Sequence, residues 1–404
     1  MRAPGQAGGG HPCPACGGGS LAVFHQQRDI PTNSCLLLDA DEAVAYPRGE
    51  MRLGLCRACG FLANVAFDPT LSEYSSRYEE TQGYSARFVD FATGLARHWV
   101  DKYDLAGGTA IEIGCGKGEF LEYLVRAGLG RATGIDPGLH PERLRPDLAG
   151  RITARTGFYD ERYGPLEADA VICRHTLEHI PDVARFVRVI RDGIGDRRDT
   201  IVLFELPDIQ RILDEVAFWD VYYEHCSYFS AGSLSRLFRA AGFEVLHVER
   251  VYDDQYLILE ARPSSTPAAG DPLPIEDDLE VLAKGTQLFE EGFARTLSSW
   301  RDRLATLRLA GGTAVIWGSG SKGVSFLTNL AMDDGIRCAV DINPFRQGKA
   351  MIGTGHQIVG PAPVAERGDR HELDLGDLAV GRQEPPCRAG AEDPAALAGD
   401  LVLG

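Results

Sequence analysis

Short runs of β-branched and aliphatic residues alternate along this chain with stretches whose apolar positions recur every three or four residues, the pattern of strands feeding helices in an α/β fold. The sharpest unit is Ala110-Ile-Glu-Ile-Gly-Cys-Gly-Lys-Gly-Glu-Phe-Leu121. Its apolar run ends in Gly114, Gly116 and Gly118, and Leu121, Leu124, Val125 and Leu129 then keep helical spacing, which predicts strand, tight turn and helix. A second strand ends in Thr133-Gly-Ile-Asp136-Pro. A weak strand at 151–157, a clear one at 168–174, a helix at 183–194 and a strand at 200–206 complete a five-strand core. Ser230 is placed to cap a helix over 231–241, and 243–250 with 255–261 read as a closing antiparallel pair. A helix over 88–103 precedes this unit; after it come a proline-rich linker at 263–275, a long charged helix over 276–309 and a further strand into Gly318.

Glycines at the first turn let the backbone take left-handed angles and let a ligand approach a helix N-terminus, while Asp136 can accept the hydroxyls of a ribose. A nucleoside site follows. The spacing is G-x-G-x-G, without the third glycine of the dinucleotide fingerprint, and Glu112 stands two positions before Gly114. The run resembles motif I of class I S-adenosylmethionine-dependent methyltransferases. That resemblance implies that Glu112, Gly114, Gly116, Gly118 and Asp136 hold the cofactor.

Composition narrows the class. The 404 residues suffice for about two to three domains, and no apolar run nears the roughly eighteen residues of a membrane span. Met1–Gly10 lacks the apolar core of an export signal, so a flexible tail and a cytoplasmic location are expected, with no membrane partner. A net charge of −17 without a basic stripe argues against nucleic acid. Among ten cysteines, Cys13-Pro-Ala-Cys16 and Cys56-Arg-Ala-Cys59 form paired knuckles, each followed by Gly, which fits one structural zinc better than a redox pair. Short strands at 21–25, 36–39 and 52–55 would bring the knuckles together.

Two later stretches carry groups that move protons. Arg174-His175-Thr-Leu-Glu-His179 follows a strand and matches H-x-x-E-H, a zinc-hydrolase signature that requires a helix interior. A loop position and Pro181 disfavour that. In methyltransferases a very similar H-x-L-E-H-I-x-D run follows the fourth strand, and this resemblance implies a pocket wall in which Arg174 and His175 line the cofactor site. Phe218-Trp-Asp-Val-Tyr-Tyr-Glu-His-Cys-Ser-Tyr-Phe-Ser230 concentrates aromatics around Glu224 and His225. A buried aromatic cluster is one reading. The other makes His225 a base tuned by Glu224, with Tyr222 or Tyr223 donating to an oxygen that gains charge. The tyrosine-rich stretch 71–88 is a solvated loop or a lid over the cofactor.

Taken in order, the double knuckle, tyrosine-rich stretch, motif I, H-x-L-E-H-I-x-D and Y-x-E-H-x-S-Y-F-S resemble the zinc-containing sugar-nucleotide C-methyltransferases, which methylate C3 of dTDP-linked 4-keto-deoxysugars. The resemblance covers roughly residues 11 to 362. It implies an α/β fold: a class I methyltransferase Rossmann-like domain (70–262) with an N-terminal zinc-binding domain (11–69) and a second, C-terminal Rossmann-like domain (263–366). It also implies that His225 removes the proton beside a ketone and that Tyr222, Glu224 and His179 hold the enolate oxygen or orient the base. One lid tyrosine, Tyr78 in preference to Tyr84, reaches substrate. Gly318-Ser-Gly320-Ser-Lys322-Gly323 with Asp341 matches a dinucleotide turn and alone would suggest NAD; in the resembled family this segment helps to hold the substrate's nucleotide, so Gly318, Gly320, Lys322 and Asp341 are expected at the substrate. Residues 367–404 depart from the family and read as an irregular tail. The competing functions are O- or N-methylation of a small natural product, and a nicotinamide- or nucleotide-binding protein built on the second turn.

Overall fold

The computed structural model describes residues 10–75, 77–148, 150–266, 270–330 and 335–361, together with the backbone of 372–374. An antiparallel sheet comes first, built from β1 (His11–Pro12), β2 (Ser20–Pro31), β3 (Arg48–Cys56) and β4 (Leu62–Asn64), with a short helix α1 (Ala40–Val44) between β2 and β3. Its last strand comes from far down the chain, Ser227–Tyr228, which pairs with β4. The strand expected at 36–39 is reduced to one bridge between Leu36 and Tyr78. Local side-chain bonding explains this: Asn33 Oδ1 accepts the amide of Cys35, and Asp39 stands at the N-cap of α1.

Helix α2 (Ala86–Lys102), whose first turn is capped by the Ser85 hydroxyl, buries Phe88, Ala92, Leu95, Ala96 and Trp99 against the central sheet. That sheet contains β5 (Thr109–Ile113), β6 (Arg131–Asp136), β7 (Ile152–Thr156), β8 (Ala170–Arg174) and β9 (Ile201–Pro207), all parallel, with α3 (Glu119–Arg126), α4 (Val183–Ile194) and α5 (Ile209–Asp214) in the connections. The strand Ser227–Tyr228 (β10) and helix α6 (Ala231–Ala240) lead to the antiparallel β11 (Phe243–Val251) and β12 (Tyr256–Pro263). Ser230 and Ser233 form a reciprocal capping box at α6. The order β11-β12-β9-β8-β5-β6-β7 is that of the class I methyltransferase Rossmann-like fold, as expected. Strand order reverses between β5 and β8, and a ligand crevice is expected at their carboxyl ends.

The long helix α7 (Leu279–Leu309) starts later than the sequence pattern suggests, because Pro274–Glu276 form a 3₁₀ turn whose Glu276 carboxylate accepts from Arg239 and from the Leu273 amide. A smaller parallel sheet follows: β13 (Ala314–Trp317), α8 (Ser321–Leu330), β14 (Ile336–Val340), β15 (Ile358–Val359) and β16 (Glu372–Asp374), in the order β15-β14-β13-β16. The expectation of an irregular tail is therefore corrected at 372–374, where a strand pairs in parallel with β13 and covers its edge; the remainder of 367–404 lies outside the described residues. One apolar core joins the parts. Met51 and Leu53 of the first sheet, Phe218 and Tyr223 of the aromatic stretch, Phe289 of α7 and Phe326 of α8 pack together. Among the described residues no helix is long and apolar enough to cross a membrane.

Candidate active site

Both glycine turns open into one cavity of about 1110 Å³ at the carboxyl ends of β5 and β8. That exceeds the roughly 300–1,000 Å³ of a pocket for one drug-sized ligand, so two reactants fit side by side.

On the first side, Gly114, Gly116 and Gly118 all have positive φ. A Cβ at any of the three would meet a side chain from elsewhere in the chain: at Gly114 it would sit 1.9 Å from Thr176 Oγ1, at Gly116 2.6 Å from Glu80 Oε1, and at Gly118 2.5 Å from Leu144 Cδ2. Asp136 lines the cavity, but each of its oxygens already accepts an amide, from Gly116 (3.0 Å) and from Gly138 (2.6 Å), so only its remaining lone pairs are open to a ribose. Glu112 lies buried at the end of β5 with Oε2 unpartnered, and burial pushes its carboxyl up to about 8. Arg174 and His175 also line the cavity, and both reach Glu205, with Arg174 Nε 2.6 Å and His175 Nε2 3.0 Å from its carboxylate, while Arg174 Nη2 is left without a partner among the described residues. Burial alone would raise Glu205, but these two cations hold it down at about 2. Burial alone would lower His175, but Glu205 and then Glu178 bring it up to about 9.

The tyrosine-rich segment lies across this wall as a strap. Buried Lys117, inside the first turn, donates to the Tyr78 carbonyl (2.6 Å) and to Gly138 (3.0 Å). The Glu79 carboxylate accepts from Arg143 (2.8 Å) and Asn343 (3.0 Å), tying the strap to the central and C-terminal sheets together. Sequence reading missed Glu79, Glu80, Lys117 and Glu205; their partners are remote in the chain, and nothing local marks them.

The aromatic stretch forms the floor. The β4–β10 pairing fixes the turn at Tyr222–Cys226, where the His225 amide bonds to the Tyr222 carbonyl (3.2 Å). His225 lies 4.1 Å from the Tyr222 ring and 4.8 Å from the His179 ring, centroid to centroid. Neither the His225 imidazole nor the Tyr222 hydroxyl has a hydrogen-bond partner among the described residues, and both face the cavity. Burial, then the neighbouring His179, His175 and Lys322, lower the proton affinity of His225 well below the usual value, leaving it neutral at pH 7.

Glu224 does not tune that ring. Its side chain turns away from the cavity and accepts from the Ser34 amide and hydroxyl, both at 2.7 Å, because a buried carboxylate follows the strongest donors within reach. Tyr223 likewise points into the first sheet, accepting from the Asp68 amide (2.8 Å), which leaves Tyr222 as the tyrosine of the pair at the site.

His179 Nδ1 is 3.1 Å from the Glu224 carbonyl and 2.9 Å from the Tyr74 hydroxyl. A carbonyl only accepts, so Nδ1 carries the proton and Nε2 is left with its lone pair. The strap residue in contact with the histidines is thus Tyr74, which the sequence reading passed over; Tyr78 lines the cavity beside it, with ring centroids 5.4 Å apart, and Tyr84 lies at the rim. The H-x-x-E-H segment is a 3₁₀ turn (Leu177–His179), so His175 and His179 do not stand one helical turn apart around an ion.

On the far side, a Cβ at Gly318 or Gly320 would meet nothing within 4 Å, leaving that turn open to a ligand. Lys322 lines the cavity, held by Gln255 (2.9 Å) and Asp220 (3.2 Å). Asp341 is largely committed to the turn itself, accepting from the Ser319 amide (2.9 Å) and the Asn343 amide (2.8 Å). The Ser34 hydroxyl, which holds Glu224, also meets Ser321 at the start of α8 (2.7 Å), so the floor and the second turn are joined through one side chain.

Away from the cavity, donor atoms of Cys13, Cys16, Cys56 and Cys59 lie within 4.8 Å of one another, and no disulfide joins them. The Sγ pairs Cys13–Cys59 and Cys16–Cys56 are 3.6 and 3.8 Å apart. A tetrahedral ion with metal–sulfur bonds of about 2.3 Å requires edges of about 3.8 Å, so the cluster fits one.

Residues 78–248 match the family profile described as "Methyltransferase domain". The C-methyltransferase NovU of Streptomyces niveus is 25% identical over 375 residues, covering 87% of this chain and 86% of that protein. A ubiquinone biosynthesis O-methyltransferase of Stutzerimonas stutzeri (strain A1501) is 36% identical over 104 residues, but the match spans only 23% of this chain and 43% of that enzyme. Among solved structures, a Burkholderia thailandensis 1,6-didemethyltoxoflavin N1-methyltransferase with bound S-adenosylhomocysteine aligns over 45% of this chain and 83% of its own, with 18% identity and a TM-score of 0.36.

Proposed function

We propose that this S-adenosylmethionine-dependent methyltransferase puts its methyl group on carbon, in a nucleotide-activated keto-deoxysugar, with His225 as the base that frees the carbon for attack. The observation that carries the reading is the uncommitted, neutral imidazole of His225 in a cavity shared by two nucleotide-type turns. A hydroxyl or amine substrate is already nucleophilic, whereas a carbon beside a ketone must first lose a proton.

When bound, the cofactor supplies an electrophilic methyl group on a sulfonium. The residues of the first turn, with Glu112 and Asp136, hold it. The His225 lone pair takes the proton from the carbon beside the ketone, and the unpartnered Tyr222 hydroxyl donates to the oxygen on which charge gathers. His179 cannot donate there in the tautomer its carbonyl partner imposes, so it acts beside His225 as a positioning residue, itself set by Tyr74. Glu224 serves indirectly by fixing the turn through Ser34. Gly318, Gly320 and Lys322 receive the diphosphate of the substrate, and Asp341 shapes their turn. The cysteine cluster takes structural zinc.

O-methylation is the second reading, favoured by the 36% identity of the O-methyltransferase segment. Incubation with a panel of 4-keto-deoxysugar nucleotides and ¹³C-methyl-labelled cofactor separates the two. A new methyl signal coupled to ring carbon supports the proposal; a methyl on oxygen or nitrogen overturns it.

A further inference from the structure

One group of donor atoms in the cavity goes beyond acid–base chemistry. Glu178, His179 and His225 each bring one metal-ligating atom within 4.8 Å of the others. Glu178 Oε2 is buried and unpartnered, while its other oxygen faces His175 Nδ1 at 3.8 Å. The His225 ring has no hydrogen-bond partner among the described residues. His179 has its Nδ1 proton on the Glu224 carbonyl, which leaves the Nε2 lone pair available. An imidazole whose second nitrogen donates to a carbonyl is the usual arrangement of a metal-bound histidine, because it fixes both tautomer and ring orientation.

We propose that Glu178, His179 and His225 form a site for a divalent transition-metal ion, and that such an ion blocks the enzyme by occupying the lone pair of His225. The blocking half rests on the reading of His225 as the base; the binding half does not. Two imidazoles and one carboxylate favour ions such as cobalt, nickel or zinc over magnesium or calcium, which prefer all-oxygen surroundings. The nearby cations His175 and Lys322 oppose added positive charge at His225, and they are offset by carboxylates, His175 by Glu205 (3.0 Å), which also holds Arg174, and Lys322 by Asp220 (3.2 Å), so the carboxylate of Glu178 is the group that favours the ion. This site is separate in chemistry from the four-cysteine cluster, since it contains no sulfur.

The test uses the full-length, zinc-loaded protein titrated with cobalt(II). Visible d–d bands should grow without a sulfur-to-cobalt charge-transfer band, and Glu178→Gln and His179→Asn should each weaken this binding by about tenfold or more. In parallel, nickel(II) should slow exchange of the substrate's α-proton with heavy water, reversibly on dialysis, and about tenfold more nickel should be needed in Glu178→Gln. Absence of nitrogen/oxygen-type bands, or bands that both variants leave unchanged, overturns the site and leaves the base assignment untouched. Undiminished proton exchange in protein saturated with nickel overturns the blocking step, whereas exchange at the parental rate in zinc-loaded His225→Asn without added nickel is the result that removes the base assignment.

Discussion

A Cβ at Gly114 would lie 1.9 Å from Thr176 Oγ1, on a backbone with φ of +72°, whereas a Cβ at Gly320 meets nothing within 4 Å. Two glycines of similar appearance in the sequence are thus present for opposite reasons. The first lets two chain segments cross, and the second leaves room for something outside the chain. Gly114→Ala should therefore destabilise the free protein by roughly 1–3 kcal/mol and weaken S-adenosylhomocysteine binding, as measured by thermal melts and calorimetry. Gly320→Ala should keep stability within about 0.5 kcal/mol and cofactor affinity unchanged, while raising KM for the proposed sugar-nucleotide substrate. An unchanged KM in Gly320→Ala would remove the second turn from the substrate site.

At the scale of elements, β2 and α7 meet through His25, which is buried against Phe289 and Phe293 with Nε2 unpartnered. Burial, opposed weakly by Gln27, lowers its proton affinity from 6.5 to about 4. Between those values the unfolded chain binds the extra proton, so this residue's contribution is intact above pH 6.5 and is lost as pH falls towards 4. At about 1.4 kcal/mol per unit, the loss reaches about 3 kcal/mol. Denaturant melts of His25→Leu should show a shallower acid-side decline than the parent; equal slopes would mean that other groups carry it. Elements like these were legible from the sequence where periodicity is local: the helix at 183–194, the Ser230 cap and the closing antiparallel pair fall where the pattern placed them. Contacts that depend on distant register were not. Pairing of β10 with β4, Tyr74 on His179 and Ser34 on Glu224 join segments separated by up to 190 residues, and side-chain type alone says nothing of which way Glu224 turns. The small strand at 372–374 was missed because its pairing with β13 is likewise long-range.

At the scale of the whole molecule, the cysteine cluster and the cavity share no residue, yet they share a sheet. The strand β3 ends at Cys56, β4 follows the second knuckle, and β4 holds β10, which carries the His225 turn. Stripping the zinc proposed for the cluster with a strong chelator should lower Tm by several degrees and abolish methyl transfer, and restored zinc should recover both. Full activity in metal-free protein would contradict that coupling. The central claim is that one imidazole removes a proton from carbon before any methyl moves. Its most direct measurement is the rate at which solvent deuterium enters a 4-keto-deoxysugar nucleotide, followed by ¹H NMR with S-adenosylhomocysteine in place of the methyl donor. The account predicts loss of the signal beside the ketone with the parent protein, and a rate lower by about a hundredfold or more with His225→Asn, at unchanged S-adenosylhomocysteine affinity. Exchange at the parental rate in His225→Asn would contradict it.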